Sequence, residues 1–165
     1  NWLRAAVLGA NDGIVSVAGV LMGVVGAGVG SSEVLIAGIA ATVAGAFSMG
    51  GGEYVSVSAQ KDTEISHGRR GKDVTANPLQ AALSSFLAFV AGALLPMLSV
   101  ILFPTELQVA AILIGVTVSL AITGVSAALV GNSNPIRGAF RIVAVSVITM
   151  AVSYLVGLAF GVAVL

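Results

Sequence analysis

The sequence lacks cysteine entirely and carries little charge. Only 8% of its 165 residues are charged and 58% are hydrophobic, whereas a soluble domain carries roughly 25% charged residues. Without cysteine, the chain can form neither disulfide bonds nor thiolate metal sites. The composition therefore excludes a soluble globular protein. We also predict that the chain is not an enzyme, holds no cofactor and binds no nucleic acid.

Long apolar stretches occupy most of the chain. They cover about residues 5–30, 34–60, 79–103, 107–130 and 139–165. A helix needs about 20 residues to cross a bilayer, whereas a barrel strand needs about 10 residues of alternating polarity. We therefore predict an all-α integral membrane protein. Residues 1–165 form one transmembrane domain with five transmembrane helices and a cytosolic loop at 61–77.

The basic residues lie in alternate gaps between these stretches. They are Arg4, then Lys61, Arg69, Arg70 and Lys72, then Arg137 and Arg141. Short loops rich in Lys and Arg are retained in the cytosol. This pattern predicts a cytosolic N-terminus and an extracytosolic or lumenal C-terminus. The basic residues act as topology determinants or contact lipid headgroups, in a bacterial plasma membrane or a vacuolar-type organelle membrane.

Two acidic residues interrupt the apolar stretches. Asp12 lies eight residues after Arg4, and Glu53 lies eight residues before Lys61. On antiparallel helices both carboxylates then lie about 12 Å from the cytosolic charges. Acids inside a membrane are rare and usually functional. We predict that the two carboxylates share a cation, or a proton when the site is empty; the alternative is that each reaches the headgroups on its own.

One face of the second helix carries further candidate ligands. Its residues are spaced four, three, four and four apart, and are Met49, Glu53, Ser56, Gln60 and Glu64. Oxygen ligands alone suit Mg²⁺ or Ca²⁺, and a thioether shifts the preference towards Fe²⁺ or another late first-row metal. We predict a metal path through Asp12, Met49 and Glu53. Possible additional ligands are Asn11, Ser56, Gln60 and Glu64, although Glu64 is also explained as a solvated loop charge.

Small residues recur along the helices. Gly38, Gly45 and Gly52 are seven residues apart on the second helix. Small residues four apart also occur in the first helix, at Gly19 and Gly23, and in the fifth, at 157 and 161. Such stripes allow helices to approach closely in lipid. We interpret the second-helix stripe as a packing surface; for the two pairs, packing and simple abundance of glycine remain equal alternatives.

Several motifs resemble those of the vacuolar iron transporter family. The resemblance lies in residues 2–16 (WLRAAVLGANDGIVS), 44–62 (AGAFSMGGGEYVSVSAQKD), 77–82 (NPLQAA) and 92–96 (GALLP). It implies a five-helix homodimer that exchanges cytosolic Fe²⁺, often also Mn²⁺, for protons along the dimer interface. It also implies that Asp12 is the pore carboxylate of the first helix and Met49 the methionine of the second. A further acid of plant members falls on Ala41, which leaves Glu53 as its substitute.

The chain departs from this family between the second and third helices. Many members insert a metal-binding domain there, whereas this sequence has only residues 61–77. The chain is thus a short form, either naturally or because the domain was removed, and its start at Asn1 suggests a missing N-terminal segment. We expect a homodimeric exporter of Fe²⁺ or Mn²⁺ driven by protons. The alternatives are a passive divalent-cation channel and a non-transporting membrane anchor or interaction module.

Overall fold

The computed structural model describes residues 2–130 and 134–164 and contains five long helices in these ranges. They are α1 (Trp2–Gly26), α2 (Ser31–Ser66), α3 (Pro78–Leu102), α4 (Thr105–Val130) and α5 (Pro135–Val164). Each is long and apolar enough to cross a membrane, and the described residues contain no strand. The predicted all-α architecture with five membrane-spanning helices is confirmed. The predicted ends at Asn1 and Leu165 lie outside the described residues.

Helix α2 is longer than the sequence predicted. The predicted span ended at residue 60, but the helix continues to Ser66, so the connection to α3 is shorter than 61–77. Residues 61–66 remain helical, and Thr63 Oγ1 donates back to the Ala59 carbonyl at 2.9 Å. Gly68, at a φ of 85°, then reverses the chain. At about 1.5 Å per residue, α2 exceeds the bilayer core, so its last turns project beyond it.

Helix α1 lies at the centre of the bundle and contacts all four other helices. Its most extensive contact is with α3, where the Cα of Gly13 lies against the Phe89 backbone with no room for a Cβ. The two small-residue pairs also pack: Gly157 of α5 lies against the carbonyl of Gly23 in α1. Close backbone approach is what small residues allow in membrane helices. Of the two alternatives left open for these pairs, the structure supports packing.

Helix α2 lies at the edge of the bundle and packs mainly on α3 and α1. Part of its glycine stripe accepts neighbours: the Phe89 ring of α3 lies against Gly45, and the Leu21 side chain of α1 lies against Gly38. Gly52 has no atom near the position of a Cβ. The stripe is therefore a packing surface at Gly38 and Gly45 and an open surface at Gly52.

Candidate metal-binding groove

A groove of about 460 Å³ lies between α1 and α2. Its lining comprises Leu8, Asp12, Ser16 and Val20 of α1, Ala41, Gly45, Ser48, Met49, Gly52, Glu53 and Ser56 of α2, and Phe89 of α3. The groove exists because the small side chains of α2 leave space beside α1. The Phe89 ring of α3 lies against Gly45 and closes one side of the groove. Most of the chain's candidate ligands thus share one cavity.

The groove brings together the three residues predicted for the metal path. Asp12 faces it from α1, and Met49 and Glu53 face it from α2, one helical turn apart. Ser56 lines the same groove. Two carboxylates, a thioether and a hydroxyl form a mixed oxygen and sulfur ligand set, which suits a late first-row divalent metal.

Asp12 is held by a residue that sequence reasoning missed. The Ser16 hydroxyl, one turn further along α1, donates to Asp12 Oδ1 at 2.7 Å. This bond orients the carboxylate and leaves Oδ2 available. The signal was present, because residues four apart on a helix are neighbours. Ser16 also lines the groove.

Glu53 is the most confined of the acids in the groove. Its side chain is only 8% exposed, and its Oε2 is buried without a hydrogen-bond partner in the described part of the chain. A buried carboxylate without a partner is costly unless it is protonated or meets a cation. The Oε2 of Glu53 is therefore a candidate ligand atom for a cation in the groove.

Asn11 faces away from this groove and towards α5. It lines a second groove of about 390 Å³ that also contains Asp12 and Arg141. Asn11 Oδ1 is buried without a partner among the described residues. Asp12 thus lies between the two grooves. The sequence interpretation treated Arg141 as a topology determinant or headgroup anchor, and its place in the same groove as Asp12 was not predicted.

Gln60 and Glu64 lie apart from Asp12 and do not line the metal-binding groove. Glu64 instead ties the connection between α2 and α3 to the end of α2. Its carboxylate accepts the Thr75 backbone N–H at 2.7 Å, the Thr75 hydroxyl at 3.1 Å and the Gln60 amide at 3.0 Å. Glu64 is buried, so the expectation of a solvated loop charge is wrong. The groove does not extend to Glu64.

Glu64→Ala is expected to loosen this connection. Hydrogen bonds to a charged group contribute roughly 1.5–3 kcal/mol, so the Thr75 amide should exchange its hydrogen about 10- to 100-fold faster. Hydrogen–deuterium exchange of the purified protein measures this directly. The control is Asp62→Ala, because Asp62 is an exposed acid on the same turn of α2. Unchanged exchange at Thr75 in the Glu64 variant would show that the carboxylate does not hold the connection.

One chain supplies only part of a metal site. The described residues contain no group of three or more His, Cys, Asp or Glu side chains that could hold a metal ion. The groove itself offers two carboxylates, Asp12 and Glu53. Divalent cations are usually bound by more ligands than these. A complete site would need water, backbone oxygens or a second copy of the chain.

Comparison with known proteins identifies the family. The chain matches the family model described as "VIT family" over residues 3–74 and 64–158. It is 38% identical to vacuolar iron transporter homolog 2 of Arabidopsis thaliana over 159 residues, which cover 93% of this chain and 81% of that protein. It is 42% identical to vacuolar iron transporter homolog 1 of Oryza sativa subsp. japonica over 165 residues, with 93% and 71% covered. The resemblance found in the sequence motifs is confirmed, and the chain belongs to the VIT family.

Proposed function

We propose that this protein is a transporter that moves Fe²⁺, and also Mn²⁺, out of the cytosol in exchange for protons. The observation that carries the proposal is the placement of Asp12, Met49 and Glu53 in one groove between two membrane-spanning helices. The names of its relatives, vacuolar iron transporter homologs, support iron as the cargo and a vacuolar-type membrane as the location. The one-sided basic residues support a cytosolic N-terminus.

Metal binding and proton binding compete at the same groups in this proposal. A metal ion entering from the cytosol displaces protons from Asp12 and Glu53, and Met49 adds a soft ligand that favours iron over Mg²⁺. On the acidic side, protonation of the carboxylates weakens their hold on the metal and releases it. The buried Oε2 of Glu53 supports this proposal, because it has no hydrogen-bond partner in the described part of the chain and faces the proposed metal path.

The groove is completed by a second copy of the chain in this proposal. Helix α2 carries an outer face of exposed, mostly small residues, namely Ala44, Ser48, Gly51, Gly52 and Val55. Gly51 and Gly52 have no neighbouring atoms where a Cβ would lie. In a monomer the groove would open to lipid beside Asp12, which is only partly buried, and that is unfavourable for an ionised group. A homodimer formed through the outer face of α2 would cover the groove and double its ligands.

Metal uptake by proteoliposomes tests the proposed function. Vesicles with a lower internal pH should take up Fe²⁺ through the protein, and the interior should become more alkaline as the metal enters. With equal pH on both sides, the uptake rate should fall at least about tenfold. A passive divalent-cation channel would take up metal without regard to the pH gradient. A non-transporting anchor or interaction module would show no uptake above empty vesicles, and either result would overturn proton exchange.

A further inference from the structure

A further cavity, of about 660 Å³, lies between the end of α2 and the start of α3. We call it the basic pocket. Its lining comprises Lys61, Ile65, Arg69, Arg70, Gly71, Val74, Thr75, Ala76, Asn77, Pro78 and Gln80. Three of these side chains are cationic and none is acidic. The pocket shares no lining residue with the metal-binding groove, so transport of a metal cation does not account for it.

The walls of the basic pocket are fixed by hydrogen bonds. Glu64 accepts two bonds from Thr75, at 2.7 Å and 3.1 Å, and so holds the far side of the pocket against α2. The Arg69 backbone N–H donates to the Glu64 carbonyl at 3.1 Å. Gly71, at a φ of 57°, makes the turn between the basic residues and a short 3-10 turn, Gly71–Asp73. The backbone that carries the basic side chains is therefore held in place by hydrogen bonds.

Two of the three cations lack an acidic partner. Arg69 Nη1 lies 4.0 Å from Glu64 Oε1, which offsets part of its charge. Neither Lys61 nor Arg70 forms an ion pair in the described part of the chain, and both are exposed. The α3 N-terminus also contributes partial positive charge to this pocket, although Asn77 Oδ1 accepts one of its N–H groups, from Gln80 at 3.2 Å. The pocket therefore has an excess of positive charge.

The remaining wall of the basic pocket is apolar. Ile65, which is 49% exposed, lies beside Val74 and Pro78 in the lining. Leu79, 61% exposed, follows at the start of the apolar α3 span. A cationic rim above an apolar wall at the end of a membrane helix matches a phosphate group attached to a lipid. The rim alone would suit a free phosphate ion.

We propose that the basic pocket binds a phosphate group through Lys61 and Arg70, and that an anionic phospholipid of the adjacent leaflet supplies it. Arginine binds phosphate in a bidentate manner, and lysine binds it as a point charge. Each basic residue near an anionic lipid surface strengthens the attraction by roughly 1 kcal/mol, or about fivefold. Loss of both should weaken binding by about 25- to 30-fold.

Lipid retention by the full chain in detergent tests the proposal. Native mass spectrometry would measure how much phosphatidylinositol 4-phosphate and how much phosphatidylcholine the protein retains. The measurement would then be repeated with millimolar inorganic phosphate as a competitor. We expect the wild-type protein to retain the anionic lipid at least tenfold more tightly, and the Lys61→Gln/Arg70→Gln double variant to lose this preference. Displacement by inorganic phosphate would identify a free anion as a second ligand of the same pocket. Retention that inorganic phosphate does not disturb would identify the lipid as the sole source.

The matched control is the Arg4→Gln/Arg137→Gln double variant. It removes the same number of positive charges from exposed residues near the starts of α1 and α5. Neither residue lines the basic pocket. Equal loss of lipid in both double variants would overturn the proposal in favour of nonspecific surface charge. Unchanged retention in the Lys61/Arg70 variant would also overturn it. Neither Lys61 nor Arg70 forms an ion pair in the described residues, so circular dichroism of the double variant should show an intact fold. The single Arg70→Gln variant should bind the anionic lipid about fivefold more weakly and provides a second measurement.

Discussion

Asp12→Asn is expected to reduce metal uptake by proteoliposomes about a hundredfold or more. The substitution removes the negative charge of the α1 ligand and keeps an oxygen that can accept the Ser16 hydroxyl, whose bond to Asp12 is 2.7 Å long. The fold of α1 is thus preserved. Two unit charges about 4 Å apart attract each other by roughly 4 kcal/mol at the effective dielectric of a partly exposed site, which corresponds to this loss in metal affinity or more. Radioactive iron uptake under an inward-acidic pH gradient measures the effect.

Asp62→Asn is the matched control for this experiment. Asp62 is also an aspartate on one of the two groove helices, but it is exposed and lies outside the groove. Its variant should transport at the wild-type rate. If Asp12→Asn transports as well as Asp62→Asn, the metal does not pass the α1 carboxylate and the proposed path is incorrect. Purified variants with equal melting temperatures would exclude misfolding as the cause.

Gly52→Trp should separate the two copies of the proposed homodimer. Gly52 lies on the outer face of α2, and no atom of its own chain lies within 4 Å of a Cβ placed there. A single protomer therefore has open space where the side chain would begin, whereas a partner helix packed on this face would have to move away. Overpacking costs typically 1–3 kcal/mol, so dimer affinity should fall about 10- to 100-fold. Single-molecule photobleaching of labelled protein in liposomes counts the chains in each complex.

A control with the same added bulk distinguishes dimer loss from a general effect. Ala110 of α4 is exposed and belongs to neither the groove nor the outer face of α2. Ala110→Trp should leave the oligomeric state and uptake unchanged. Because Gly52 also lines the groove, Gly52→Trp could stop transport by filling it. A Gly52→Trp protein that remains dimeric would therefore contradict the proposed interface even if transport is lost.

The juxtaposition of Asp12 and Glu53 could be predicted from the sequence. The helical rise is constant, so each carboxylate has a calculable depth from the nearest basic residue, Arg4 or Lys61. Antiparallel neighbouring helices then place both at one level. The structure places both acids in one groove, as this reasoning predicts. The ligand role of these residues stays a prediction.

Other features of the site depend on contacts that local patterns do not encode. The spacing of Gln60 and Glu64 places them on the face of Met49, but it cannot show that the chain returns and bonds Glu64 to Thr75, eleven residues later. Nor does periodicity indicate that Phe89 of α3 lies below Gly45 of α2. Such contacts depend on how the helices pack. Ser16 is different, since its spacing from Asp12 was sufficient to suggest their hydrogen bond.

The position of a bound metal ion tests the central claim most directly. Crystals of the purified protein soaked with Fe²⁺ would be measured by X-ray diffraction at wavelengths above and below the iron absorption edge. We predict an anomalous peak in the groove, within bonding distance of the Asp12 and Glu53 carboxylates and beside Met49, where two protomers meet. An iron peak only at other residues, or a groove that faces lipid and binds no iron, would contradict the account.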